Sequence, residues 1–241
     1  MSAAPRASGC PFPHGDEPAE MPPASCPVSG ARAGRATPLW EAGARDAAEA
    51  TGRAAAGASR LDENRAASMA VRAVESRADQ RSAERITELF VRTLGRKLGY
   101  GHPLSDRTGV AAFTWTPEAE ARLAEVPDFC RELTRWRVEW TAHKLGLGTT
   151  VTPEVMQVKY EMWGRVSHAI KDRDRDALPW TASARSRFDG IPEFVQGQVL
   201  EAVEGNARRL GATEVDDAVV DLVIHRWIET GDFHEGLYGF R

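Results

Sequence analysis

Cysteine is scarce in this chain of 241 residues. The three present, Cys10, Cys26 and Cys130, are too few, too scattered and odd in number for a disulfide framework, which fits a reducing compartment. No apolar run approaches the roughly 20 residues needed to cross a bilayer, and the N-terminus lacks the continuous apolar core of a secretory signal. Basic excess is missing too: a formal charge of −4 and a pI near 5.9 leave no footprint for a phosphate backbone, so nucleic acid is not an expected partner. A glycine-rich phosphate loop and a zincin pair are absent. No nucleophile–base arrangement is legible, since the acids cluster at helix starts where capping accounts for them. The expectation is a soluble, cytoplasmic protein that is not an enzyme as an isolated chain.

Large apolar side chains are also nearly missing from residues 1–60, which carry most of the Pro and the Gly-Ala-Ser monotony. Such a segment cannot bury enough surface to offset chain entropy. Residues 1–76 are therefore expected to be a disordered or low-complexity tail, although Ala42–Ala78 has the helix propensity for a solvated helix. Residues 77–112 read as an amphipathic helix and linker. Ile86, Leu89, Phe90, Leu94 and Leu98 share one face from about Arg77 to Leu98, and the stretch GYGHP (Gly99–Pro103) stops it.

What the rest of the chain has is an echo. WTPEAEARLAEVPDF (115–129) returns as WTASARSRFDGIPEF (180–194). Thr116-Pro117-Glu118 is an N-cap, a first-turn proline and an acid at a helix start. Pro127-Asp128 opens a second helix, on which Phe129, Leu133, Trp136 and Trp140 form one stripe, and Gly146 closes it. Thr152-Pro153-Glu154 opens a third, with Met156, Tyr160, Trp163 and Ile170 in line. At an offset of 65, from Trp115 to Trp180, the caps, stripe and terminator recur, and at 64 Val151, Val155 and Trp163 meet Val215, Val219 and Trp227. A duplication of this kind predicts an all-α fold: two tandem three-helix modules, 113–172 and 178–232, packed together because each is small to stand alone.

The run Trp115, Ala119, Leu123, Val126-Pro127, Phe129, Arg131, Arg135, Glu139, Ala142, Gly146, Val151-Thr152 resembles the small C-terminal domain of the B subunit of light-independent protochlorophyllide reductase, the PCP-reductase domain. So does Trp180, Ile191-Pro192, Phe194-Val195, Gly197, Val199, Glu204, Ala207, Gly211, Val215. The likeness spans residues 114–232. It implies a non-catalytic accessory protein of (bacterio)chlorophyll biosynthesis or photosynthesis that binds a tetrapyrrole or docks on a pigment-handling complex. Two alternatives follow from it: a lid subunit of such a reductase, or a structural subunit of a photosynthetic membrane complex held peripherally by the Ile86–Leu98 face. The reductase's cluster cysteines and parallel-sheet body have no counterpart in this sequence.

Arg131, Arg135, Trp136 and Trp140 on the second helix of module one combine guanidinium forks with aromatic faces, as an anionic macrocycle such as a chlorophyll precursor would require. The same stripe also reads as core, with the arginines on a solvated face. In module two Arg131 and Arg135 become Gln196 and Leu200, so a cation-dependent role falls to module one. His143, His168, His225 and His234 are each capable of axial ligation but sit in no paired spacing. In the tail, Cys10-Pro11 and Cys26-Pro27 resemble haem-regulatory pairs, with His14 as a second ligand. The same three residues are one ligand short of a zinc site.

Overall fold

The computed structural model describes residues 37–98, 101–105, 112–173 and 177–232, and the fold is all-α. Cys10, His14, Cys26 and His234 lie outside these residues. The elements run in three similar series. The first is β1 (Leu39–Trp40), α1 (Ala44–Ala54), α2 (Ala56–Ser59), α3 (Glu63–Gln80), β2 (Arg85–Ile86) and α4 (Glu88–Leu98). Next come β3 (Thr114–Trp115), α5 (Pro117–Ala124), α6 (Asp128–Leu145), β4 (Thr150–Val151) and α7 (Pro153–Arg173). The last comprises α8 (Ala182–Asp189), α9 (Glu193–Leu210) and α10 (Asp217–Thr230). The strands are two-residue parallel pairs, β1 with β2 and β3 with β4, and Trp180 makes the matching parallel bridge to Val215.

The helix starts follow the capping chemistry. Ala119 and Ala184 donate their backbone N–H to the hydroxyls of Thr116 and Thr181, and Val219 donates to the Asp216 carboxylate. Gly146 and Gly211 end α6 and α9 in the left-handed region, at φ of 66° and 72°, where a Cβ is strained.

Two sequence expectations fail in the first series. Residues 44–76, expected as part of a disordered tail, form α1, α2 and most of α3, with Ala44, Ala48, Ala66, Ala70 and Val74 fully buried. Alanine suffices because α1 and α3 approach closely: a Cβ on Gly52 would lie 2.6 Å from the Ala66 carbonyl oxygen. The expected helix from Arg77 to Leu98 is broken. Ser82 takes a positive φ after α3, Ile86 pairs in β2 with Trp40, and only Glu88–Leu98 resumes as α4. Ile86, Leu94 and Leu98 are buried in the first core while Leu89 is 62% exposed. Of the five residues expected on one face, Ile86, Leu94 and Leu98 are thus packed internally, Phe90 is half-buried against the same core and Leu89 stays exposed.

This first series is a third version of the same unit. Trp40, Ala44, Ala48, Val74, Glu75, Ala78 and Ile86 stand where Trp115, Ala119, Leu123, Val138, Glu139, Ala142 and Val151 stand in the second. The third has Trp180, Ala184, Phe188, Val203, Glu204, Ala207 and Val215. In each, the indole N–H donates to the glutamate: 3.4 Å for Trp40–Glu75, 3.0 Å for Trp115–Glu139 and 3.1 Å for Trp180–Glu204.

The series are tied together by buried contacts. Trp136 packs with Met69, Leu133 and Leu61 and against Gly101, where a Cβ would fall 2.6 Å from the indole. Arg77 pairs with the buried Asp232 carboxylate, Nε at 2.8 Å. Arg60 reaches Glu139 at 2.9 Å.

His102 sits in this junction, its Nε2 on the Thr230 carbonyl at 2.7 Å and its Nδ1 accepting from the Leu104 N–H at 3.0 Å. Those partners fix a neutral tautomer. Burial pushes its pKa down to about 4, and the neighbouring Arg77 and Arg137 act in the same direction. Since the unfolded imidazole titrates near 6.5, the unfolded state binds the extra proton between the two values. Stability is therefore full above pH 6.5 and falls as pH drops toward 4, by up to about 3 kcal/mol. Urea titrations of the native chain at pH 7.5 and 4.5 are expected to show that loss, and His102→Gln to remove most of the pH slope.

Candidate functional site

The two echoed Pro-acid-Phe steps turn out to lock the second and third series to each other. Phe129 packs against the third core and Phe194 against the second, so each unit inserts its phenylalanine into the other. This reciprocity is the mark of an isologous contact within one chain. Along it, α7 lies against α9 so closely that Gly197 has no room for a side chain. Phe194 stacks on Tyr160, centroids 4.3 Å apart, and Trp163 continues the near-parallel stack at 6.1 Å from both.

Beside this lock is a cleft of about 80 Å³. Equivalent positions of both units form its walls: Val126 and Ile191, Pro127 and Pro192, Phe129 and Phe194, Cys130 and Val195, Thr134 and Val199, Trp163 and Trp227. Two polar residues break the pairing, Arg137 and Gln198, whose counterparts are Ala202 and Leu133. Gln198 donates its amide to the Trp163 carbonyl at 3.1 Å. Its Oε1 is buried without a partner among the described residues, which leaves an acceptor beside an otherwise apolar wall. Cys130 donates to the Pro127 carbonyl, and burial pushes its thiol up to about 12, so it is no nucleophile. No acid lines the cleft among the described residues. Lys159 holds its ammonium 4.6 Å from the centroid of the Trp163 ring.

The residues singled out from sequence are placed elsewhere. Arg131 turns back to the carbonyls of Val126 and Ala124 at the end of α5, at 3.2 and 3.0 Å. Gln196 does the same for Ile191 at 3.0 Å. The Arg-to-Gln change between units thus preserves one hydrogen bond, which marks the position as a helix-end clamp. Arg131→Gln is expected to shift stability by less than about 0.5 kcal/mol and Arg131→Ala to cost about 1 kcal/mol, measured by urea unfolding. Arg135 is held by Glu120 through two bonds of 2.6 Å and lies 4.6 Å from the Trp115 ring centroid. Trp136 is 2% exposed and belongs to the core. Trp140 is half-buried beside His143, ring centroids 5.2 Å apart. The four share a helix, and none of them lines the cleft described above. His143, His168 and His225 are exposed, and no cluster capable of holding a metal ion occurs among the described residues.

Sequence reading missed the cleft because its walls come from residues that each unit displays as apolar stripe. Only the reciprocal exchange of Phe129 and Phe194 brings them together. It missed the first unit because 35 residues separate Trp40 from Glu75, against 24 in the other two pairs. The phrase Val-Glu-x-x-Ala, at Val74, Val138 and Val203, was the signal available. No family profile, curated protein or solved structure matches the chain.

Proposed function

We propose that this chain is a non-catalytic accessory protein of (bacterio)chlorophyll biosynthesis or photosynthesis that docks on a pigment-handling complex. The cleft between the second and third units carries this reading. It is apolar, built from both units, and holds about 80 Å³, whereas pockets that enclose a drug-sized ligand run to roughly 300–1,000 Å³. A whole macrocycle does not fit inside it, but one side chain of a partner does. Its aromatic walls also suit an edge of a tetrapyrrole presented by that partner. Pigment metabolism enters through the likeness of Trp115–Thr152 and Trp180–Val215 to the PCP-reductase domain.

Size-exclusion chromatography of the purified chain with a light-independent protochlorophyllide reductase, with and without protochlorophyllide, tests this. Co-elution that is lost in a Phe129→Ala/Phe194→Ala variant is the expected result. Failure to co-elute, together with no absorbance change on adding protochlorophyllide or haem, would overturn it.

A further inference from the structure

Acidic residues outnumber basic ones in this chain, 35 to 31. Lys144 and Lys159 are among the described cations that form no ion pair with another described residue. Lys159 lies on the face of Trp163, and Trp163 and Arg137 both line the cleft. The field of Arg137 and Lys144 reaches Lys159. Burial, with those two cations adding to it, pushes the Lys159 ammonium down to about 8, and its charge stands beside Trp163 at a cleft that no acid lines among the described residues, with Glu125 and Glu161 on the adjoining groove past Val126 and Phe194. Arg137 has other contacts in the structure and contributes field rather than a vacant fork.

We propose that the cleft binds an acidic peptide segment of a partner protein, seating one aliphatic side chain beside Trp163 and placing a flanking carboxylate at Lys159. Two observations select this occupant. The volume is about half the roughly 150 Å³ of a cavity that takes a benzene ring, which suits a leucine or valine side chain. Lys159 stands charged beside Trp163, so carboxylates are attracted and a basic peptide is repelled. The inference rests on the docking reading above and specifies its contact.

The test uses the full chain and a capped pentapeptide of one leucine flanked on each side by two glutamates. Two control peptides replace the glutamates by glutamine or by lysine. Indole N–H signals in ¹H–¹⁵N spectra, assigned with Trp163→Phe and Trp227→Phe, give the readout. Saturable shifts of the Trp163 and Trp227 signals are expected with the glutamate peptide. Affinity should be at least tenfold weaker for the glutamine peptide, with no shift from the lysine peptide, and should fall steeply with salt. Lys159→Met should weaken binding at least fivefold while circular dichroism stays native. Equal binding of the glutamate and glutamine peptides, or no shift with any peptide, overturns the proposal. So does binding to anionic lipid vesicles with no peptide shift. Co-elution with a pigment enzyme alongside a negative peptide result would leave docking standing and move its contact off the cleft.

Discussion

Gly197→Ala is expected to destabilise the chain by about 3 kcal/mol or more, lowering the melting temperature by roughly 10 °C. A Cβ at position 197 would lie 2.2 Å from the Ser167 carbonyl oxygen, 2.6 Å from its Cα and 2.8 Å from its carbonyl carbon. All three are backbone atoms of α7, so no rotamer change relieves the overlap, and α7 has to move away from α9 as a body. The shift also breaks the Gly197 N–H donation to the Ser167 hydroxyl at 2.8 Å and that hydroxyl's donation to the Glu193 carbonyl at 3.0 Å. Phe194, one turn away, loses its seat on Tyr160, and the cleft opens. Gly57→Ala is the control. It has ordinary backbone and nothing within 4 Å of the added Cβ, so it is expected to be neutral or slightly stabilising. Thermal unfolding followed by far-UV circular dichroism reads both. A Gly197→Ala protein that melts within 2 °C of the native chain would show that α7 and α9 do not meet there.

The second large effect is at the repeated Trp–Glu bond. Glu204 is 1% exposed. It accepts from the Trp180 indole at 3.1 Å and the Leu178 backbone N–H at 3.2 Å, and pairs with Arg208 at 2.7 Å. Glu204→Ala leaves two donors without an acceptor, each costing about 1–3 kcal/mol where water cannot reach. Arg208, half-exposed, returns to solvent and adds little. A loss of about 3 kcal/mol is expected. Glu139→Ala should cost a similar amount, since Glu139 is 3% exposed and serves Trp115 and Arg60. Glu75 is different: its side chain is 31% exposed and its bond to Trp40 is 3.4 Å long. Water replaces it more readily, and Glu75→Ala should cost about 1 kcal/mol. Urea unfolding of the three variants gives the order, and equal losses would mean that the three bonds do not differ as their burial requires.

Capping chemistry made much of the second and third units readable in the sequence. Thr116, Thr181 and Asp216 announce their helices because each side chain satisfies a backbone N–H that no other group in the helix can reach. Gly146 and Gly211 announce the ends for the complementary reason. The stripe Met156, Tyr160, Trp163 and Ile170 was legible; Met156, Tyr160 and Ile170 are buried, whereas Trp163 is half-buried and lines the cleft. The first unit was obscured by its composition, since a core of alanines carries too little hydrophobicity to stand out from a solvated helix. The setting of Arg135 was not legible, because a guanidinium beside a tryptophan looks the same in sequence whether it stands open or, like Arg135, is bound by Glu120.

The sequence by itself determined the helical content of residues 114–232, most of the caps and the existence of a repeated unit, because local hydrogen bonding and 3.6-residue periodicity act within a few positions. Tertiary structure alone decided that the units number three and that Phe129 and Phe194 cross into each other's cores. It also decided that Arg131 clamps a helix end and that Lys159 and Arg137 border an apolar cleft. Those outcomes depend on which surfaces meet across tens of residues, and burial of shared apolar area between units, rather than any local preference, selects that meeting.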